Sequence, residues 1–278
     1  RAGRETVPAA REQWLTFAVV GAGPIGVEMA GTMAEIAQQT LRAEFRRIDS
    51  RRARVILIEG ASRVLGTFPE DLSAKAKVQL EGLGAEVLTG AKVTNITAFG
   101  IHYDLTETGP DGQPRQVSHF VPTRTVIWGA GVAASPLGRM LAKSTGCALD
   151  RAGRVVVQPD LTITDHPDIY VVGDLASAKS YLDPANPTPV PGVSPGAKQM
   201  GRKAAMNIQR RLQGLEPQAF RYFDYGSLAT IGKRAAVAMI DIPFTKKRVK
   251  FSGFSAWLFW LFVHVYFLIG FRNRMVVF

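Results

Sequence analysis

An α/β fold built around a parallel sheet is predicted by three features of this 278-residue chain. Short β-branched runs alternate with helix-period stretches from residue 17 to about 133, and again more briefly over 134 to about 213. The first of those runs, FAVV, leads straight into the glycine spacing GAGPIG. Hydrophobic residues make up 46% and charged residues 21%, which supplies a core and excludes wholesale disorder.

The elements follow in order. Residues 1–16 are polar and Arg-rich, with Trp14 and Leu15 leading into the first strand, Thr16–Val20. A helix is expected over 27–37, lengthened through LRAEFRR, with a loop around 49–52. A second strand covers 54–58 and ends at Glu59; another helix, AEVLTG and TVIWGAG complete this stretch. Beyond it come VVVQ, a strand over 169–172, and a basic helix near 196–212. YLDPANPTPVPGVSPG, between those last two, is too rich in proline for a central strand or helix. FRYFDYGSLATIG and RAAVAMI read as a strand pair. A cluster of Lys246, Lys247, Arg248 and Lys250 then precedes an aromatic-rich apolar run to the end.

The glycine run carries the strongest chemistry. Strand, glycines and helix stand in the order a dinucleotide requires: Gly21 permits the tight turn, Gly23 lets a pyrophosphate approach the backbone, and Gly26 allows close packing. The helix start supplies unpaired N–H groups and partial positive charge. An acid at the end of the second strand, Glu59, accepts hydrogen bonds from the adenosine ribose and repels a 2′-phosphate, which favours NADH over NADPH. Its gap from the glycines exceeds the usual spacing of about twenty residues, which is the reason for expecting the lengthened helix. Arg63, close downstream, is the residue that would admit NADPH.

HPDIYVVGDLAS offers a second, weaker signature. Asp174 after a strand suits either a ribityl or ribose hydroxyl or a plain helix N-cap. A single cysteine, Cys147, excludes a disulfide scaffold, a Cys-based zinc site and a CxxC redox pair. The four histidines have no metal-ligand spacing, and no metal is expected. A net charge of +11 points to an anionic partner. The basic clusters at 46–54 and 198–211 lack interleaved aromatics, so nucleic acid is not that partner. Residues 1–10 have no apolar signal-peptide region, and the chain, lacking an initiator Met, reads as a fragment.

Taken together, TFAVVGAGPIGVEMAG, ARVILIEGASRVLGTFPEDLS, TVIWGAGVAASPL, IYVVGDLAS, PVPGVSPGAKQMGRKAA, YGSLATIGKRAAV and SGFSAWLFWLFVHVYFLIGFRNR resemble the two-dinucleotide-fold flavoproteins. Within them the chain resembles type II NADH dehydrogenase, the non-proton-pumping NADH:quinone oxidoreductase. The resemblance implies a Rossmann-like NADH domain (17–133) inserted in an FAD-binding domain, whose first half ends at 1–16 and whose second part is 134–213. A short β-pair and a membrane-associated helical region would occupy 214–278. Gly21, Gly23, Pro24, Ile25, Gly26 and Glu59 would hold NADH. Glu28, Ala130, Gly131 and Val132 would lie by the nicotinamide, with Glu28 where it meets the flavin. Gly173 and Asp174 would hold the FAD ribityl-pyrophosphate region, and Ala197 and Gln199 would lie near the isoalloxazine and the quinone. Glu28 and Gln199 are the residues assigned to the reaction. Pro195 stands where many members carry a glutamine, leaving the polar quinone contact to Gln199 and backbone. The family's own N-terminal GxGxxG does not precede Arg1, and the chain stops short of the usual C-terminal tail.

The implied cofactors are FAD and NADH; the implied partners are a quinone, anionic membrane lipid and a second copy of the chain, at the cytoplasmic face of a membrane. An NADH-sensing flavoprotein that regulates a partner with little turnover is the alternative. Residues 252–271 carry no formal charge and, at about 1.5 Å per residue, just reach across a hydrocarbon core of about 30 Å. Aromatics spread through the run, His264 within it and basic residues at both ends (Arg272 and Arg274 after it) argue for an in-plane anchor, with a single span the alternative.

Overall fold

The computed structural model describes residues 1–42, 44–242 and 247–267. Helix α1 (Pro8–Leu15) leads into β1 (Thr16–Val20), α2 (Pro24–Glu35), β2 (Arg54–Glu59), α3 (Glu70–Gly82) and β3 (Ala85–Thr89). Three further strands follow, β4 (Lys92–Thr97), β5 (Gly100–Thr108) and β6 (Pro114–Pro122), before β7 (Thr125–Trp128). Then come α4 (Leu137–Thr145), β8 (Val155–Val156), β9 (Thr162–Ile163), β10 (His166–Tyr170), β11 (Ala176–Ser177), β12 (Lys179–Ser180), β13 (Thr188–Pro189) and α5 (Ser194–Leu212). The remaining elements are β14 (Ser227–Gly232), β15 (Ala235–Asp241), β16 (Arg248–Ser252) and α6 (Phe254–Phe267). Contacts divide the chain into two compact units, residues 1–130 with 225–278, and residues 131–224.

In the first unit, β1, β2, β3 and β7 form a parallel sheet in the order β3-β2-β1-β7. Period-two alternation splits its side chains between two cores. Val19, Val55, Leu57 and Val87 face α2 and α3, where they meet Val27, Ala30, Leu72, Ala76 and Leu80. Ala18, Val20, Ile56 and Ile58 face the opposite side and meet Ile101, Tyr103 and Val121 of the β4-β5-β6 sheet. The C-terminal sheet, β14-β15-β16, repeats the device. Ala229, Ile231, Val237 and Met239 join the α2/α3 core, while Ala236 and Ala238 turn to Ala256 and Trp257 of α6. Lys250 of β16 is tied to Asp71 of α3 at 3.0 Å.

Gly31 lets α2 and β14 meet backbone to backbone: a Cβ there would stand 1.6 Å from the Ile231 carbonyl oxygen. Beside it, Glu35 Oε2 accepts the Lys233 N–H at 2.8 Å, fixing the β14–β15 turn to the end of the same helix.

The second unit packs α4, α5 and short strands around Val155, Leu161, Ile163, Val171, Met200 and Phe220. Asn207, fully buried on α5, donates to the carbonyls of Asp160 and Gln218 and accepts the Gln218 N–H. Pro195 sits in the first turn of α5, where a missing N–H costs nothing.

Three expectations need correction. LRAEFRR does not continue the first helix: after Glu35 the chain widens into a π turn, Ile36–Thr40, closed by the Leu41 N–H on the Ile36 carbonyl. The Ala37 carbonyl, which a longer α-helix would use, accepts instead from the buried Ser50 hydroxyl at 2.7 Å. The strand expected over 169–172 runs over His166–Tyr170, since a bulge shifts its register and Val171 pairs with the Leu161 carbonyl outside the ladder. No α-helix follows Asp174, so it caps none; Gly173, at φ +72°, opens a single 3₁₀ turn, Gly173–Leu175, that leads into β11. The β4-β5-β6 sheet and strand β16 were not expected.

Among the described residues, no helix is long and apolar enough to cross a membrane. Helix α6 is described over Phe254–Phe267. Lys246, residues 268–271, Arg272 and Arg274, part of the proposed anchor and its flanks, lie outside the described residues.

Candidate dinucleotide site

The carboxyl ends of β1, β2 and β7 converge on the glycine turn. Strand order reverses at β1, with β2 on one side and β7 on the other, and open α/β sheets bind ligands at such a switch point. Each glycine has a distinct steric reason. Gly21 takes φ +94°, and a Cβ on it would stand 2.7 Å from the Ala130 backbone. A Cβ on Gly26 would fall 1.7 Å from the Gly21 carbonyl oxygen. At Gly23 a Cβ would meet nothing within 4 Å, so this side of the turn is open. Pro24 starts α2, and the N–H groups of Ile25 and Gly26 fall in the first turn, where no intrahelical partner exists. Open space at Gly23 beside these donors fits a pyrophosphate.

Main-chain bonds lock the turn to the sheet. The Gly21 N–H donates to the Ile58 carbonyl and the Gly129 N–H to the Val20 carbonyl, both at 2.8 Å. Glu59 is half-buried at the end of β2. Its Oε2 accepts the Ala22 N–H at 2.6 Å and its Oε1 the Ala61 N–H at 2.8 Å. A carboxylate offers about four lone-pair sites, so roughly two remain for ribose hydroxyls. The Ala22 carbonyl accepts from the Leu65 N–H at 2.7 Å. Leu65 is fully buried at φ +49°, a left-handed conformation that costs an L side chain about 1–2 kcal/mol. Arg63 is held by its Nη2 on the Gly66 carbonyl at 3.0 Å.

The other candidates fall as follows. Glu28 is exposed on α2, two residues beyond Gly26, and makes no hydrogen bond among the described residues. Ala130 lies against Gly21, Gly131 is at φ +67°, and Val132 is exposed. In the second unit the structure brings Gly173 and Ala197 together, a Gly173 Cβ standing 3.5 Å from that of Ala197. Asp174 is exposed, with its Oδ1 facing Gly192. The Gln199 amide is engaged twice by one residue, donating to the Phe223 carbonyl and accepting its N–H, each at 3.0 Å. One N–H and one lone pair remain free for a ligand. At this point the chain presents the Gly173 backbone, at φ +72°, and the single methyl group of Ala197. Among the described residues, no group of three or more His, Cys, Asp and Glu side chains could hold a metal. Sequence reasoning missed Ala22, Ala61 and Leu65, whose backbone groups carry no residue-type signal.

Fold and site thus define an α/β protein with a Rossmann-like dinucleotide-binding core. Residues 4–201 match the pyridine nucleotide-disulphide oxidoreductase family, and residues 225–278 match the NDH2 C-terminal domain. The chain belongs to the pyridine nucleotide-disulphide oxidoreductase family. It is 44% identical over 278 residues to type II NADH:quinone oxidoreductase Ndh of Mycobacterium tuberculosis, covering 99% of this chain and 55% of that protein. Identity to NdhA of the same organism is 42% over 272 residues, covering 96% and 53%. The fold superposes on NDH2 from Plasmodium falciparum in complex with NADH with a TM-score of 0.77 at 18% identity, covering 98% of this chain and 66% of that one. The chain therefore spans about half the length of the M. tuberculosis relatives.

Proposed function

We propose that this chain serves a membrane-associated protein that oxidises NADH with a quinone, without pumping protons. FAD, when bound, supplies a hydride acceptor that returns two electrons to the quinone. The 44% identity to a type II NADH:quinone oxidoreductase, over almost the whole of this chain, carries the reading.

The chain's own residues do the binding and orienting. Gly21, Gly23, Pro24, Ile25 and Gly26 present open backbone to the NADH pyrophosphate, and Glu59 takes the adenosine ribose. Glu28 serves the nicotinamide, with Ala130, Gly131 and Val132 lining its side. Gly173 and Asp174 hold the ribityl-pyrophosphate part of FAD, and Ala197 and Gln199 serve the isoalloxazine and the quinone. On this reading 17–133 is the NADH domain, 1–16 and 134–213 belong to the FAD domain, and 214–278 is the membrane-association region. Positioning and exclusion of water account for the catalysis asked of the protein.

Exposed Phe254, Leu258, Phe262 and Tyr266 recur every fourth residue on α6, which supports an in-plane anchor on anionic lipid. The cytoplasmic face and a homodimer belong to the same proposal. Steady-state NADH oxidation by the full-length flavoprotein, with a short-chain quinone, tests it. One quinone reduced per NADH consumed supports the enzyme; tight NADH binding without turnover supports the NADH-sensing regulator.

A further inference from the structure

We propose that Glu59 is a positioning residue for the glycine turn as well as a ribose acceptor, and that its hold on Ala22 contributes to dinucleotide affinity independently of the ribose. This rests on the NADH reading above and deepens it.

The argument starts from the two peptide planes that flank Ala22. Glu59 Oε2 grips the N–H of the plane joining Gly21 to Ala22, at 2.6 Å. The Leu65 N–H grips the carbonyl of the plane joining Ala22 to Gly23, at 2.7 Å. In a trans peptide the carbonyl and the following N–H point in opposite directions. Drawing the Ala22 carbonyl toward Leu65 therefore turns the Gly23 N–H the other way. Gly23 is the position where nothing stands within 4 Å of an added Cβ. One glycine on each side of Ala22 would otherwise leave these planes free to rotate.

The segment after β2 is itself fixed to do this. The Ala61 N–H closes on Glu59 Oε1, and Leu65 is held at φ +49° with its side chain fully buried. A leucine kept in the left-handed region is consistent with backbone geometry that the site requires. Glu59, at the end of β2, and Leu65, in the segment after it, thus hold the N–H and the carbonyl of one residue. A carboxylate serves here because it accepts two N–H groups at once and keeps lone pairs for the ribose. An amide has one oxygen, and its NH₂ would face an N–H.

The test compares the unmutated protein with Glu59→Gln, using calorimetric binding of NADH and of its analogue lacking both adenosine ribose hydroxyls. Amide hydrogen exchange at Ala22 and Ala61 is measured without ligand, and thermal unfolding shows that the variant remains folded. The clamp predicts that Glu59→Gln weakens binding of the analogue as well as of NADH, by about tenfold, the scale of one charge-assisted hydrogen bond. It also predicts faster exchange at Ala22. A loss seen with NADH and absent with the analogue overturns the clamp and leaves the ribose role alone. Equal affinities for both ligands in the two proteins overturn it too. If the unmutated protein binds no NADH, the functional reading fails; the exchange rate at Ala22 then decides the clamp, unchanged protection overturning it and faster exchange supporting it.

Discussion

Replacing Gly31 by Ala sets two effects of opposite sign against each other. Alanine is the better helix former by about 1 kcal/mol. Against this, the new Cβ would stand 1.6 Å from the Ile231 carbonyl oxygen and 2.8 Å from its carbon, where ordinary contact begins at 3.4 Å. Both obstructing atoms are backbone of β14, so no side chain can swing aside. Helix α2 must retreat, which loosens Ala30 and Ala34 from Ala229, Ile231 and Val237 in the shared core. Overpacking of this kind costs about 1–3 kcal/mol, and a backbone obstruction belongs at the upper end. The net expectation is a loss of about 2 kcal/mol, a large share of a typical stability of about 5–15 kcal/mol. Urea unfolding followed by far-ultraviolet circular dichroism measures it. Gly201→Ala on α5, whose Cβ meets nothing within 4 Å, is the control and should be neutral or stabilising. If Gly31→Ala proves as stable as Gly201→Ala, the close packing of α2 on the C-terminal sheet is wrong.

Asn207→Ala removes three hydrogen bonds between a fully buried side chain and the backbone of Asp160 and Gln218 and should cost about 3 kcal/mol, read from the urea midpoint. Leu258→Glu with Phe262→Glu, both exposed on α6, should abolish co-sedimentation with anionic vesicles while changing stability by less than about 0.5 kcal/mol each. Acid should erode stability through carboxylates with lowered pKa values. Hydrogen bonds from Arg51 hold Asp49 down to about 2, and those from Lys250 and Arg248 hold Asp71 and Asp241 below their usual 3.8. Such groups stabilise the fold above the unfolded value and lose that contribution as pH falls toward the folded one. The Asp71→Asn variant should therefore show a shallower fall of urea midpoint below pH 3.8 than the unmutated protein.

The glycine turn was legible because its requirements are local: a strand, three glycines and a helix start lie within twenty residues of one another. Glu59 was legible as an acid at a strand end, but its bond to Ala22 spans 37 residues and uses a backbone N–H, which leaves no mark in the residue type. The lengthened helix failed because it was inferred from the gap to Glu59, whereas Ser50 takes the Ala37 carbonyl and turns the chain instead. Strand β16 hid inside a basic cluster that reads as a membrane flank; its pairing with β15 is made by backbone, and Arg248 and Lys250 find Asp241 and Asp71. Strand β4 is almost wholly exposed, so it lacked the apolar alternation that identifies a half-buried strand. Asp174 suited a helix N-cap by type, yet Gly173 at φ +72° sends the chain into a short turn.

An anaerobic single-turnover measurement on the full-length, FAD-loaded protein tests the central claim most directly. NADH is mixed with the protein, flavin absorbance is followed, and a short-chain quinone is then added. The account predicts that NADH bleaches the flavin in one fast phase and that the quinone restores the absorbance, with one quinol formed per NADH oxidised. Flavin that NADH leaves unbleached, or that stays bleached once the quinone is present, would contradict it.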